Sequence, residues 1–495
     1  MKNRIFLHLS LIVVFVVLFY KHEVGLNLFL FESMSLGLLF WSTPPKLSFY
    51  FKFFVVTLFT SLLATFWHYS TLSYVINISS FVFIVSASLH AEFKSLAGIF
   101  NVSLFNSFQS VGYFFKDFKK SGDSTGMAWS YFKRVRYFLV PVLFIALFTT
   151  LYSFASPEFN SGTQKIFDVI FSVFEKFPTV EWSLIGLIVL GLIISSYVFY
   201  SKLDKQALSL EPHKSDDLVR VRKTKFFRKM GLRNEVQAGT FLFAVLNCLI
   251  LFVVVSDVWN VWIHFNWSGA YLKTFVHSGT YILIFSILLS IGLVLYFFKG
   301  NINFYKKSKT LKVLVNVWLI QNAVLVIAVA IRNYRYIEHF ALAYKRIGVL
   351  FFLLATLYGL YTVYVKVNKR KSFHFLWRKN LLSFFIVLWG MSLFNWDHVI
   401  IKYNKNHSDS AFFHFDYLAE MPNNCLHLLQ ENPQYWEDIE LGQVQKFGSR
   451  SSYMKPFVFK ETIDARISRF KREYENRSWL DWNYGDWMAY KNLTE

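Results

Sequence analysis

Apolar runs of about 20 residues recur along most of the chain, separated by short polar or basic stretches. Each is long enough to cross the roughly 30 Å hydrocarbon core of a bilayer as a helix. The pattern predicts eleven spanning helices, at about 5–20, 24–42, 49–67, 71–89, 137–155, 181–200, 236–263, 274–298, 311–331, 346–366 and 380–396. The stretch Ser95–Phe115 interleaves Asn101, Ser103, Asn106, Ser107, Gln109 and Ser110 with its Phe and Leu, so it reads as a helix along the interface rather than a span. Between Pro157 and Pro178, Ile166, Phe167, Ile170, Phe171 and Phe174 share one helical face, the pattern of a second interfacial helix.

The pattern changes after Trp396. Residues 397–495 contain no further span and read as a soluble tail: irregular to Phe415, helical near 416–430, broken at Pro433, and helical again near 462–477. Trp436, Trp479, Trp482 and Trp487 are the aromatic residues available to nucleate a small core there, one that stands alone or is pressed on the membrane surface and docked on the bundle. The fold class is therefore an all-α polytopic membrane protein, with a bundle over 1–396 and a tail over 397–495.

Composition agrees with the pattern: 55% of the residues are apolar and 20% aromatic, with 58 Phe, far from a water-facing globular surface. A formal net charge of +21 raises the question of nucleic acid. The basic residues, however, are dispersed between apolar runs as topology signals, and no nucleic-acid partner is implied. Residues 1–396 hold 40 Lys and Arg against 16 Asp and Glu, whereas 397–495 hold 12 against 15. With the N-terminus cytoplasmic, the basic loops near 90–136, 201–235, 299–312 and 366–379 fall inside with the chain start and Lys46 and Lys52. That side then carries 32 Lys and Arg and the other loops 8. Making 95–115 a span would invert the first four helices against this bias. The orientation read from the sequence is N-terminus in and tail out, with membrane lipids, and in one reading a protein complex, as partners.

Candidate chemistry is sparse. Met1–Tyr20 resembles a signal sequence but lacks a small-x-small cleavage site, so it reads as a retained first helix. Cys248 and Cys425 form no metal or disulfide signature. No phosphate-binding Gly loop, nucleophile elbow, His-Glu-x-x-His or paired cysteines occur, so no catalytic residue, cofactor or metal is assigned. Glu32 stands inside the second span, where an ionised carboxylate costs roughly 2.5–3.5 kcal/mol. It should face protein, as should Asn247, Asn316, Gln321 and Asn322, whose amides are expected to bond across helices at about 0.6 kcal/mol each. In the tail, Asp397-His398, His407-Ser408-Asp409 and His414-Phe415-Asp416 have metal-binding residue types without a metal-binding spacing.

The strongest candidate follows Ile331. Arg332, Arg335, Glu338 and His339, with Arg346 opening the next helix, concentrate ionisable groups on the side otherwise poor in them. Paired guanidinium forks suit phosphate or carboxylate; the same residues also suit an interhelical salt-bridge network. Both readings are open at this level.

Several segments carry a family resemblance: Phe19-Tyr20-Lys21-His22-Glu23-Val24-Gly25-Leu26-Asn27, Trp318-Leu319-Ile320-Gln321-Asn322, Ile331-Arg332-Asn333-Tyr334, Ala343-Tyr344-Lys345-Arg346-Ile347-Gly348, Asn395-Trp396-Asp397 and Tyr403-Asn404. Together they resemble the bacterial multi-pass membrane proteins of domain-of-unknown-function family 4173. The resemblance implies a bacterial inner-membrane protein and transfers no activity. Two functional expectations follow: a non-enzymatic membrane scaffold or accessory subunit presenting the tail, or a transporter or lipid-linked-substrate enzyme with an anion site at the outer face.

Overall fold

The computed structural model describes residues 2–90, 93, 95–121, 181–201, 215–220, 231–263, 269–448 and 454–495, with isolated positions between 145 and 172. The span expected at 137–155, most of the interfacial helix around 165–175, and most of the basic loops at 122–136 and 201–235 lie outside the described residues. Among those described there is no strand, only an isolated bridge between Asp217 and Lys371. The chain divides into two compact units: Met1–Lys46 with Asn101–Asp204, and Leu47–Phe100 with Lys205–Glu495.

The first unit contains α1 (Lys2–Phe19), α2 (Leu26–Ser42), most of α5 (Leu96–Ser121) and α6 (Trp182–Tyr200). Asn27 fixes the α1–α2 turn: its Oδ1 accepts from Gly25 N at 2.8 Å while its Nδ2 donates to the carbonyls of Leu18 and Glu23. His8 packs beside Ser195, whose Oγ lies 2.8 Å from Nδ1. Along α5 the polar Ser103, Asn106 and Ser110 are buried, whereas Leu104 and Phe108 are exposed. Its polar face is thus turned inward and part of its apolar face outward.

The second unit holds α3 (Phe49–His68), α4 (Thr71–Leu89), α7 (Leu232–Asp257), α8 (Gly269–Phe297), α9 (Lys309–Phe340), α10 (Tyr344–Asn368) and α11 (Phe373–Ser392). Six described helices, α3, α4, α6, α7, α9 and α10, are long and apolar enough to cross a membrane. A seventh joins them if α11 and α12 (Trp396–Asn406), bent by 62°, count as one span. Leu26–Ser42, Arg4–Phe19 and Tyr281–Phe297 are apolar but shorter. The chain is an all-α membrane protein. Phe243, Val294, Leu311, Val315, Leu325, Leu360 and Val367 fill the core shared by α7 to α11, and α3 packs on α11 through Phe53 and Phe54 against Phe385 and through Trp389 Nε1 to Thr60 Oγ1 at 2.9 Å.

The spans of this unit alternate in direction. Asn368 at the end of α10 exchanges side-chain hydrogen bonds with Asn316 near the start of α9. Lys366 donates to the carbonyl of Phe298, just past α8, at 2.7 Å, and the buried Arg332 near the end of α9 meets Asp257 at the end of α7. The ends of α3, α7 and α9 and the start of α10 therefore lie on one side, and the tail is on that side too.

The tail folds onto this unit. Beyond α12 come α13 (Phe415–Ala419), a 3₁₀ turn at Asn423–Leu428, α14 (Pro433–Phe447), α15 (Pro456–Glu475) and α16 (Tyr484–Thr494). Several sequence expectations need correction. The stretch after Trp396 is helical because Asn395 caps it, accepting from His398 N at 3.2 Å. Pro433 opens a helix rather than breaking one, as Pro456 also does, because the first helical turn has no use for the N–H that proline lacks. The tail core forms around one tryptophan, fully buried Trp436, which packs with Phe413, Phe415 and Phe459. Trp479, Trp482 and Trp487 are exposed.

Gly485 seats α16 against the end of α3. A Cβ there would lie 2.9 Å from the Trp67 carbonyl oxygen, a backbone atom that cannot rotate away. Gly485→Ala is accordingly expected to cost about 1–3 kcal/mol, as overpacking does. Its signature would be faster proteolysis within 484–494, with the spans intact.

Candidate functional site: the hairpin between α9 and α10

Five residues singled out by the sequence fall on one structural feature, the turn from α9 to α10, and the structure gives each a partner inside the protein. Arg332, buried at 6% exposure, projects from α9 and its Nη2 pairs with Asp257 Oδ1 of α7. Asp257 sits where α7 passes into a π-helical turn, Val258–Ile263. One turn on, Arg335 Nη1 meets Glu338 Oε2 at 3.0 Å, both half-exposed. Arg346 turns back over the Tyr336 ring at 4.5 Å and donates Nη1 to the carbonyls of Phe340, at 2.6 Å, and Ala341. His339 packs between Phe340 and Phe447, and its carbonyl accepts from Phe412 N at 2.6 Å.

The backbone explains why the guanidinium of Arg346 is needed there. A helix ends with carbonyls that have no partner in the helix, and α9 is followed by Ala341 with φ 61°, a left-handed geometry that favours glycine. The chain meets this with side chains. Arg346 takes two of the carbonyls. Asn404 of α12 takes Leu342 by both polar atoms, Oδ1 accepting from Leu342 N at 2.8 Å and Nδ2 donating to Leu342 O at 3.1 Å. Tyr417 Oη accepts from Tyr344 N at 3.2 Å, and Asn333 Nδ2 donates to Arg346 O at 3.0 Å. A second amide, Gln443 of α14, secures the turn that follows α12: its Oε1 accepts from Phe413 N at 2.9 Å and its Nε2 donates to Ser408 O and Ala411 O. The hairpin is thus tied to the tail through backbone atoms. Sequence reasoning missed Asn404, Gln443 and Tyr417 as its clamps; only the proximity of Tyr403-Asn404 to the resemblance pointed there.

The intramembrane polar residues divide. Glu32 of α2 is buried. Asn247 Nδ2 donates across to Leu314 O at 3.0 Å, Gln321 Nε2 reaches Asn247 O at 3.3 Å, and Asn316 pairs with Asn368, so these bond between helices as expected. Asn322 differs: its Nδ2 donates to Trp318 O in its own helix.

Where the tail meets α3, Asn424 Nδ2 donates to His68 O at 2.8 Å, and the rings of His398 and His427 lie 5.3 Å apart. Asp397 and Cys425 are buried nearby. Burial pushes the Cys425 thiol and the Tyr417 phenol up, so both remain protonated at neutral pH. Among the described residues, no three His, Cys, Asp or Glu side chains are placed to hold one metal ion.

Burial, with His398 as a second contributor, holds His427 down at about 4 against its usual 6.5. A histidine depressed on folding binds more protons unfolded than folded between those values. Its stabilising contribution is therefore complete above pH 6.5 and lost as the pH falls to about 4. Unfolding midpoints measured over that range are expected to drop more steeply for the wild type than for His427→Gln.

The fold and this internally paired hairpin define a class: an all-α membrane protein with a helical C-terminal cap locked onto its spans. The chain belongs to the family described as a domain of unknown function, DUF4153, whose model matches residues 28–430. That corrects the resemblance to family 4173: the match is to a different family of unknown function, and it runs from within α2 to the first part of the cap. No curated protein and no solved structure matches the chain.

Proposed function

We propose that this protein is a non-enzymatic membrane scaffold or accessory subunit, in which the spans hold and orient a helical cap that a partner complex engages. The observation that carries this reading is the pairing of the hairpin. Arg332 is engaged by Asp257, Arg335 by Glu338, and Arg346 by backbone carbonyls, which supports a structural role for these cations over capture of an anionic substrate. Purification from native membranes in mild detergent is the test. A stoichiometric protein partner, lost when exposed cap residues such as Glu437 and Leu441 are replaced, is the expected result. A lone monomer active on a small anion would overturn it.

The topology that goes with this reading is eleven crossings of a bacterial inner membrane, with the N-terminus in and the cap out. It is supported by the directions within the second unit. Trp67 lies 5.2 Å from the Tyr484 ring and Asn424 bonds His68, so the end of α3 is on the cap side and the end of α4 is opposite, where α7 also begins. An even number of crossings must then separate α4 from α7. We count the apolar stretch 137–155, which lies almost entirely outside the described residues, and α6 as those two, with α5 along the interface. The exposed Trp67, Trp479, Trp482 and Trp487 suit headgroup depth on the cap side. Labelling of Glu437→Cys by an impermeant maleimide on intact cells is expected; labelling only after permeabilisation of the inner membrane contradicts this orientation.

A further inference from the structure

We propose that a cavity at the opposite end of the second unit, between the starts of α3 and α11, binds the phosphate headgroup of an anionic glycerophospholipid. Its volume is about 440 Å³, and Ser48, Phe49, Tyr50, Phe93, Arg378, Lys379 and Leu382 line it. This size falls in the range of sites for small ligands, ~300–1,000 Å³.

Among the described residues, two cations and no acid line the cavity, and the two cations stand differently. Arg378 Nη2 is held by Asp216 Oδ2, part of a clasp in which Lys371 Nζ also meets Asp217 Oδ1 at 2.6 Å and Ser372 N donates to Asp216 O at 2.7 Å. Both acids of that segment are thereby occupied. Arg378 Nε, also buried, makes no hydrogen bond among the described residues. Lys379 is half-buried and has neither hydrogen-bond nor ion-pair partner among the described residues. A half-buried ammonium beside an occupied guanidinium, with no carboxylate to spare among the described residues around it, is a site with unmet demand for an anion. The N-termini of two long helices, capped by Ser48 and Ser372, end on this side and add positive potential.

The rest of the lining identifies the anion's carrier. Phe93 is buried, Leu382 and Tyr50 form further apolar wall, and Phe49 is 74% exposed at the first residue of a spanning helix. The cavity therefore lies where hydrocarbon gives way to headgroups, with an apolar side open toward acyl chains. Free phosphate would satisfy the cations and leave the apolar wall without use; a phosphodiester carrying a diacylglycerol satisfies both.

The experiment uses the full chain, purified and returned to nanodiscs of phosphatidylcholine with increasing phosphatidylglycerol, bound lipid being counted by native mass spectrometry. Wild type is expected to retain phosphatidylglycerol over phosphatidylcholine. Lys379→Ala is expected to weaken that retention about five-fold, the equivalent of one basic residue near an anionic headgroup. Lys379→Arg should retain it, and Leu382→Trp should abolish it by filling the cavity while leaving the unfolding midpoint in pure phosphatidylcholine unchanged. Equal retention by wild type, Lys379→Ala and Leu382→Trp would overturn the proposal, as would equal retention of both lipids. Displacement of the lipid by millimolar inorganic phosphate alone would assign the site to free phosphate and overturn the lipid as its occupant.

Discussion

Arg332→Ala is expected to remove most of the folded protein, at a cost of about 3–5 kcal/mol, because it strands the Asp257 carboxylate among membrane helices with nothing to neutralise it. Both groups are over 90% buried, so water cannot take the place of the guanidinium. Removing the two charges together behaves differently: breaking one side of a buried pair is costly, while replacing both sides with apolar groups of similar volume is often neutral. Arg332→Met with Asp257→Leu in the same chain should recover much of the loss, and Arg332→Ala with Asp257→Asn a smaller part. The measurement is the amount of monodisperse protein and its unfolding midpoint for each single and double variant. A ligand site would behave otherwise: Arg332→Ala would accumulate normally and lose function alone.

The second large effect is expected at Asn404. Alanine there leaves the N–H and C=O of Leu342 both without their partners, and each orphaned backbone group costs about 1–3 kcal/mol. The total, on the order of 2–5 kcal/mol after partial rescue by water, falls on the joint between hairpin and cap. The spans keep their own core of Phe243, Val315, Leu325 and Leu360, so the loss is local: the cap loosens while the bundle holds. Limited proteolysis should cut Asn404→Ala between 396 and 447 under conditions that leave the wild type whole. Asn404→Asp should fail similarly, since a carboxylate can accept from Leu342 N but cannot donate to Leu342 O.

Six of the expected spans were legible in the sequence because lipid imposes length and hydrophobicity on each segment separately; Phe49–His68, Thr71–Leu89 and Trp182–Tyr200 fall within a residue or two of their predicted bounds. The ionic cluster was legible as a cluster, since Arg332, Arg335, Glu338, His339 and Arg346 crowd fifteen positions. Its pairing was not. Asp257 lies 75 residues from Arg332, and the partners of Arg346 are backbone carbonyls, which no residue type announces. The same holds for Asn404 and Gln443, ordinary amides until the backbone they clamp is known. The tryptophans could not be sorted in the sequence for a physical reason: their large apolar rings suit a core and a membrane interface equally, and burial separates Trp436 from Trp479, Trp482 and Trp487 only in three dimensions.

Amide hydrogen exchange in nanodiscs, followed at Leu342, Tyr344 and Phe412, addresses the hairpin most directly. If these cations and amides serve to weld the cap to the spans, the three amides exchange slowly and together in the wild type, and all three accelerate together in Asn404→Ala. Fast exchange in the wild type, like that of an open loop, or protection that Asn404→Ala leaves untouched, would contradict a structural hairpin and return its arginines to the role of a binding site.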